Sequence, residues 1–373
     1  MRRAAHLLLP LALACAPQPA GPAPTRAGWR DATHFLDSLV ADGVAPGAVL
    51  AVSVQGRHYY HGTGRLGLDD PRRPDSATVY DLASVTKVVG LTPAVILALE
   101  EGKLALDSVL GTRTADSAHG GGAITLRLLL AHASGLPAWR PLFRETMSRS
   151  EAIGLARSTP LDSAPGTHFT YSDLGAIWMT ALVEEAYGRR IDSLLAERVY
   201  QPLGLHDTRY LPPREWRPRI APTEDDPWRG RILRGEVHDE NAARLDGVSG
   251  HAGLFSSARD LLTFGDWMLA RWAADSVVRL FTTRADLPAG SSRALGWDTP
   301  SQPSSGGTLI SPQSFGHTGF TGTSIWVDPT RSLVIVLLTN RVHPSRANTR
   351  LAGLRGAVAD RVVRAFPALL AAP

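Results

Sequence analysis

Ala48-Val49-Leu50-Ala51-Val52-Ser53-Val54, Gln55-Gly56, Arg57-His58-Tyr59-Tyr60: an apolar run, a turn pair and an aromatic-rich run read as a two-stranded hairpin. Upstream, Phe35, Leu36, Leu39 and Val40 recur at helical spacing over 29–42. Strand patterns return only near the other end, over 323–327 and 332–338, joined by the turn Asp328-Pro329-Thr330 and followed by a helical pattern over 350–366. Between them, about 125–271 is mainly helical, clearest over 126–131, 173–187, 190–199 and 258–272. Strands at both ends with helices between predict an α/β chain of the α+β type: one antiparallel sheet, flanked by helices and split by a mainly helical insertion. The expected boundaries are 29–366 for the domain, with sheet parts at about 29–110 and 290–366 and the insertion at about 111–289.

The 373 residues are 44% hydrophobic and 20% charged, a globular profile with room for a large core. No run of eighteen or more apolar residues follows the N-terminus, so no membrane-spanning helix is expected. The net charge is +4 and the two signs are interspersed, which does not suggest a nucleic-acid surface. Of 39 basic residues only Lys87 and Lys103 are lysine. A coding bias explains most of that skew, but arginine cannot act as a general base, so the two retained lysines draw attention.

Arg2-Arg3, the apolar stretch 6–14 and Ala12-Leu13-Ala14 read as a signal peptide over 1–15, and hence as an exported, periplasmic or membrane-anchored protein. Cys15, the single cysteine, follows the small residues as in bacterial lipoprotein signals, although Ala12 stands where that pattern prefers Leu. Either signal peptidase could cut there, so lipidation is left open beside export. One cysteine excludes an intramolecular disulfide. The Pro-, Ala- and Gly-rich stretch 16–28 reads as a tether.

Three short patterns could carry chemistry. In Ser84-Val85-Thr86-Lys87, residues three apart share a helix face, so a lysine held neutral by burial could take the serine's proton. With 27 serines and two lysines, such a pair arises by chance in roughly one chain of this kind in seven. The helix carrying it is expected to run from the Tyr80–Ala83 region through Glu101 to a Gly102 cap, with Pro93 bending or interrupting it. Tyr171-Ser172-Asp173 sits at a loop–helix junction, where a lone tyrosine is more often a core residue. His317-Thr318-Gly319-Phe320 opens a strand, and its glycine permits close approach of a substrate to the backbone, although a lone His-Thr-Gly is more often a turn. His238-Asp239-Glu240, His132 and His251 read as loop hydrogen-bonding groups; no metal and no cofactor are expected.

In this order and context the three patterns resemble the serine β-lactamase and penicillin-binding-protein superfamily, within it the class C β-lactamase-related branch. Leu128-Leu129-Leu130-Ala131-His132-Ala133-Ser134-Gly135-Leu136, Gln201-Pro202-Leu203-Gly204-Leu205 and Leu338-Thr339-Asn340-Arg341 extend the resemblance. The runs 235–242 and 250–255 are similar to a DD-carboxypeptidase-like subgroup. The resemblance implies an antiparallel sheet beside a helical domain with the active site between them. It also implies Ser84 as acylated nucleophile, Lys87 as its base partner, Tyr171 as proton shuttle to the leaving group, and the Ser84 and Phe320 amides as oxyanion hole. His317, with Thr318 and Gly319, would meet the substrate's carboxylate side.

Two positions depart from the family pattern. Asp173 replaces the usual Asn and should raise the pKa of Lys87. His317 replaces the frequent Lys and, unperturbed, is positive only below about pH 6.5. Both argue for a DD-peptidase-like or esterase activity on peptidoglycan-related peptides or small esters, ahead of β-lactam hydrolysis. The alternatives are a β-lactamase and a noncatalytic penicillin-binding or sensor protein. The partner is a small molecule or peptide with an acyl bond, not a nucleic acid; oligomeric state is not legible.

Overall fold

The computed structural model describes residues 21–113 and 122–370; the signal segment 1–15, Cys15 and part of the expected tether lie outside them. Helix α1 (Arg26–Ala41) takes in the last three residues of the predicted tether. Thr25 caps it, its side chain accepting from the Gly28 N–H while its own N–H donates to Ala365 O.

Strands β1 (Gly47–Val54) and β2 (Arg57–Gly64) form the predicted hairpin. Strand β3 (Val79–Asp81) leads into the nucleophile region and helix α2 (Thr92–Glu100). Helix α3 (Asp173–Tyr187) lies in the middle of the chain, then strand β4 (Leu254–Ser257) and helix α4 (Ala258–Ala274). Strands β5 (Phe315–Thr318), β6 (Ser324–Asp328) and β7 (Leu333–Thr339) and helix α5 (Arg355–Ala365) close it.

The main sheet has the order β5-β6-β7-β1-β2, antiparallel throughout, so the two chain ends meet where β1 pairs β7. Both faces of the central strands are buried, which is why their sequences are almost continuously apolar. Leu50, Val52, Leu333, Ile335 and Leu337 join Leu36 of α1 and Val358 and Val362 of α5 in one core. The alternate residues Val49, Ala51, Val334, Val336 and Leu338 share the other core with Leu261, Leu262 and Phe264 of α4.

The helical insertion therefore ends earlier than the expected 289. Helix α4 packs on β1, β6 and β7 and belongs to the sheet. Gly265 makes this possible, because a Cβ there would stand 2.5 Å from Val334 Cγ1. Asp266 pins the contact, accepting from Ser53 Oγ at 2.7 Å and bonding His58 Nε2 at 2.7 Å.

The segment Ala83–Glu100 is long and apolar enough to span a membrane by length and composition, which the sequence reading had not expected, but 78% of it is buried in the core. Pro93 acts on the turn before it, where Lys87–Leu91 is π-helical. Proline offers no N–H to the Val89 carbonyl four residues back, which instead accepts from Tyr200 Oη at 3.2 Å.

Candidate active site

The nucleophile region is held in a strained turn. Ala83 has φ +46°, in the left-handed region that costs a non-glycine residue roughly 1–2 kcal/mol. The buried Asp81 carboxylate secures it, accepting from the Ala83 N–H at 2.9 Å and the His238 N–H at 2.6 Å. Thr321 Oγ1 donates to Asp81 O at 2.7 Å and Thr323 Oγ1 to Leu82 O at 2.8 Å, strapping the turn to the β5–β6 loop. Gly319 lies in that contact: a Cβ there would fall 2.3 Å from Leu82 O and 2.1 Å from Thr323 Oγ1.

Ser84 follows in a short 3₁₀ turn, with Lys87 three residues on. Lys87 is 2% exposed, and its ammonium has three acceptors: Asp173 Oδ1 at 2.7 Å, Ser84 Oγ at 3.1 Å and His251 O at 3.1 Å. Burial by itself pushes its pKa down, but Asp173 and Tyr171 outweigh burial and hold it above the ordinary lysine value. The expectation of a lysine kept neutral by desolvation is thereby corrected: Lys87 is an ion-paired cation.

Tyr171 precedes the cap of α3. Ser172 Oγ accepts from the Gly175 N–H and donates to Pro137 O at 2.6 Å, and the Ser172 N–H donates to His132 Nδ1. The His132 ring lies 4.6 Å from that of Tyr171, so the 128–136 motif positions the tyrosine. Burial, then the nearby charges of Arg293 and Lys87, hold His132 well below the usual imidazole value. Lys87 Nζ and Arg293 Cζ lie 4.8 Å and 5.2 Å from the Tyr171 ring centroid. The Tyr171 hydroxyl is buried with no hydrogen-bond partner among the described residues.

His317 on β5 engages Thr318 O through Nδ1 at 2.7 Å, leaving Nε2 buried and unpartnered. Burial, with Arg293 and Lys87 nearby, holds its pKa well below the usual value. A ring that is neutral at pH 7, with its Nδ1–H committed, offers an acceptor at Nε2. The expected positive charge on the carboxylate side does not come from His317.

Ser84, Tyr171, His317, Thr318, Gly319 and Phe320 line one cleft of about 380 Å³, with Lys87 and Asp173 joined to Ser84 beneath it. The Ser84 and Phe320 N–H groups donate to no acceptor among the described residues, which suits an oxyanion hole. Sequence reading missed Arg293, Arg341 and Arg355, which also line the cleft. Only Leu338-Thr339-Asn340-Arg341 hinted at one of them, and in so arginine-rich a chain a guanidinium carries little signal.

The other singled-out histidines are hydrogen-bonded within the scaffold. His238 Nε2 meets Glu224 at 2.9 Å and its ring stacks on Phe320. His251 bonds Asp239 through Nε2 and Ser249 through Nδ1 while its carbonyl holds Lys87.

An acylatable serine beside an ion-paired lysine, a tyrosine oxygen and a His-Thr-Gly strand define a serine hydrolase site of the penicillin-recognising type. Residues 33–359 match the family model Beta-lactamase, and the chain belongs to that family. It is 33% identical over 319 residues to the Escherichia coli (strain K12) protein named "Putative D-alanyl-D-alanine carboxypeptidase", covering 75% of this chain and 73% of that one. Among solved structures it is similar to "EstCE1, a hydrolase with promiscuous acyltransferase activity" (TM-score 0.70, 20% identity, 89% of this chain and 99% of that one). It is also similar to a beta-lactamase (Mb2281c) from Mycobacterium bovis (TM-score 0.59, 25% identity, 88% and 98%). The protein is a serine hydrolase of the β-lactamase-related family.

Proposed function

We propose that Ser84 Oγ attacks an acyl carbon of a D-Ala-D-Ala-type peptide or small ester and forms an acyl-enzyme. The observation that carries this is Ser84 Oγ 3.1 Å from Lys87 Nζ in a cleft that also holds the unpartnered Tyr171 oxygen. Lys87, as an ammonium, orients Ser84. In the reactive form Tyr171 has lost its proton while Lys87 keeps its own, the charge on the phenolic oxygen being offset by Lys87 and Arg293. Oγ bonds to the carbonyl carbon, the serine proton passes to Tyr171, and the Ser84 and Phe320 amides take the oxyanion. The C–N or C–O bond then breaks as Tyr171 returns the proton to the leaving atom. Water reverses the sequence and frees the acid.

The Lys87–Asp173 pair and the neutral His317 favour peptides and esters over β-lactams. The carboxypeptidase name of the E. coli relative supports the peptide, and the presence of Ser84, Lys87 and Tyr171 together disfavours a noncatalytic sensor. The test sets turnover of an acyl-D-Ala-D-Ala peptide and a p-nitrophenyl ester beside that of a fluorescent penicillin, with intact-mass detection. Peptide or ester should turn over while penicillin gives a persistent adduct. Penicillin hydrolysis faster than both would reassign the enzyme to the β-lactamases, and no adduct with no turnover would end the proposal.

From the N-terminal pattern we propose that the mature chain begins at Cys15, outside the cytoplasm and tethered by lipid. Mass spectrometry of the natively produced N-terminus is expected to find processing at Cys15 with an acyl modification. A retained Met1 would remove the export proposal; an unmodified Cys15 would remove only the lipid.

A further inference from the structure

The cleft carries more positive charge than one carboxylate can answer. Arg293, Arg341 and Arg355 line it with no acidic lining residue, while Lys87 is already paired with Asp173. Arg341 and Arg355 sit at the Phe320 end. Arg341 lies over the Phe320 ring at 4.5 Å and spends Nη1 on the carbonyls of Arg346 and Asn348. Arg355 donates from Nη2 to Gly319 O at 3.0 Å, and its Nε is buried without a partner. Neither has a carboxylate within ion-pair distance among the described residues. The nearest acid to act on Arg341, Glu224, is taken by His238 and Arg346.

Burial, then the charge of Arg341, lower the Arg355 pKa to about 10, so both guanidiniums stay charged at neutral pH. Two like charges, partly desolvated and side by side, are unfavourable unless an anion joins them.

Arg293 flanks the other end, stacked on Tyr171 and Phe169. Its Nε forms a loose ion pair with Asp298 Oδ1 at 3.6 Å, too long for a good hydrogen bond, and its Nη1 has no hydrogen-bond partner among the described residues. Guanidiniums thus line the cleft both beside Phe320 and beside Tyr171.

We propose that the enzyme selects doubly anionic acyl compounds, one anionic group meeting Arg341 and Arg355 beside Phe320 and a second meeting Arg293 beside Tyr171. This rests on the Ser84 reading and adds the substrate class to it. The chemistry is that of a carboxylate on each side of the bond that breaks. A guanidinium can hold each through charge-assisted bonds.

The test uses four depsipeptides built on a D-alanyl ester. The acyl end is acetyl or succinyl, and the leaving group is D-lactate or its neutral amide. The succinyl lactate should show the highest kcat/KM, falling about tenfold for each carboxylate removed. Arg293→Gln should erase the preference for one carboxylate and Arg341→Gln the preference for the other, each sparing the ratio the other governs. Equal turnover of all four by the wild type would overturn the inference. So would a variant that keeps both carboxylate preferences whatever its absolute rate, or no turnover by an enzyme that still reacts with a fluorophosphonate. Failure of the fluorophosphonate to label Ser84 would bring down the nucleophile assignment and this inference together.

Discussion

Ser84→Ala should abolish covalent labelling by a fluorophosphonate or penicillin probe and lower ester turnover by at least ~10⁴-fold, on the scale of nucleophile deletions in serine hydrolases. The loss should be chemical and not structural. The Ser84 hydroxyl bonds only Lys87, which keeps Asp173 and the His251 carbonyl as acceptors, so the deletion costs roughly 1–2 kcal/mol of stability. The strained turn is secured by Asp81, Thr321 and Thr323 through backbone atoms that the substitution leaves in place. Thermal melting and circular dichroism should therefore stay close to wild type. A folded Ser84→Ala protein that still gains the probe mass would move the nucleophile elsewhere.

The sheet was legible because its strands are buried on both faces and so read as apolar runs at the two chain ends. Local pattern also placed the hairpin turn, α1, α3 and the extent of α4. It could not show which body α4 packs against, since that depends on Gly265 meeting Val334 far along the chain. The effect of Pro93 was foreseen as a bend or an interruption of the helix. Its form, a π-turn whose freed Val89 carbonyl accepts from the distant Tyr200 hydroxyl, was not legible locally. At the site, three short motifs, each weak alone, pointed to the eight candidates through their joint resemblance to a family pattern, but protonation states are tertiary facts. Lys87 is charged because α3 delivers Asp173 to it, and His317 is neutral because burial and Arg293 surround it. The three arginines come from separate late segments that no periodicity connects.

The wild-type rate should fall at least ~100-fold in Lys87→Arg, the scale of misplacing a positioned reacting group. Arginine keeps the charge but not the geometry. Lys87 Nζ sends bonds to Ser84 Oγ, Asp173 Oδ1 and His251 O from one tetrahedral atom that is nearly inaccessible to solvent. A planar guanidinium is larger and cannot reach all three from one point. Asp173→Asn separates charge from shape. With the carboxylate gone, the largest influence raising the pKa of Lys87 is removed and that pKa falls. The Lys87–Tyr171 couple then gives up its proton more readily, so the acidic limb of the kcat/KM profile should move to lower pH. An unmoved limb would show that Asp173 does not couple to proton transfer. A folded Lys87→Arg enzyme within a few-fold of wild type would reduce Lys87 to a replaceable positive charge, and the Ser84–Lys87 assignment would have to be abandoned.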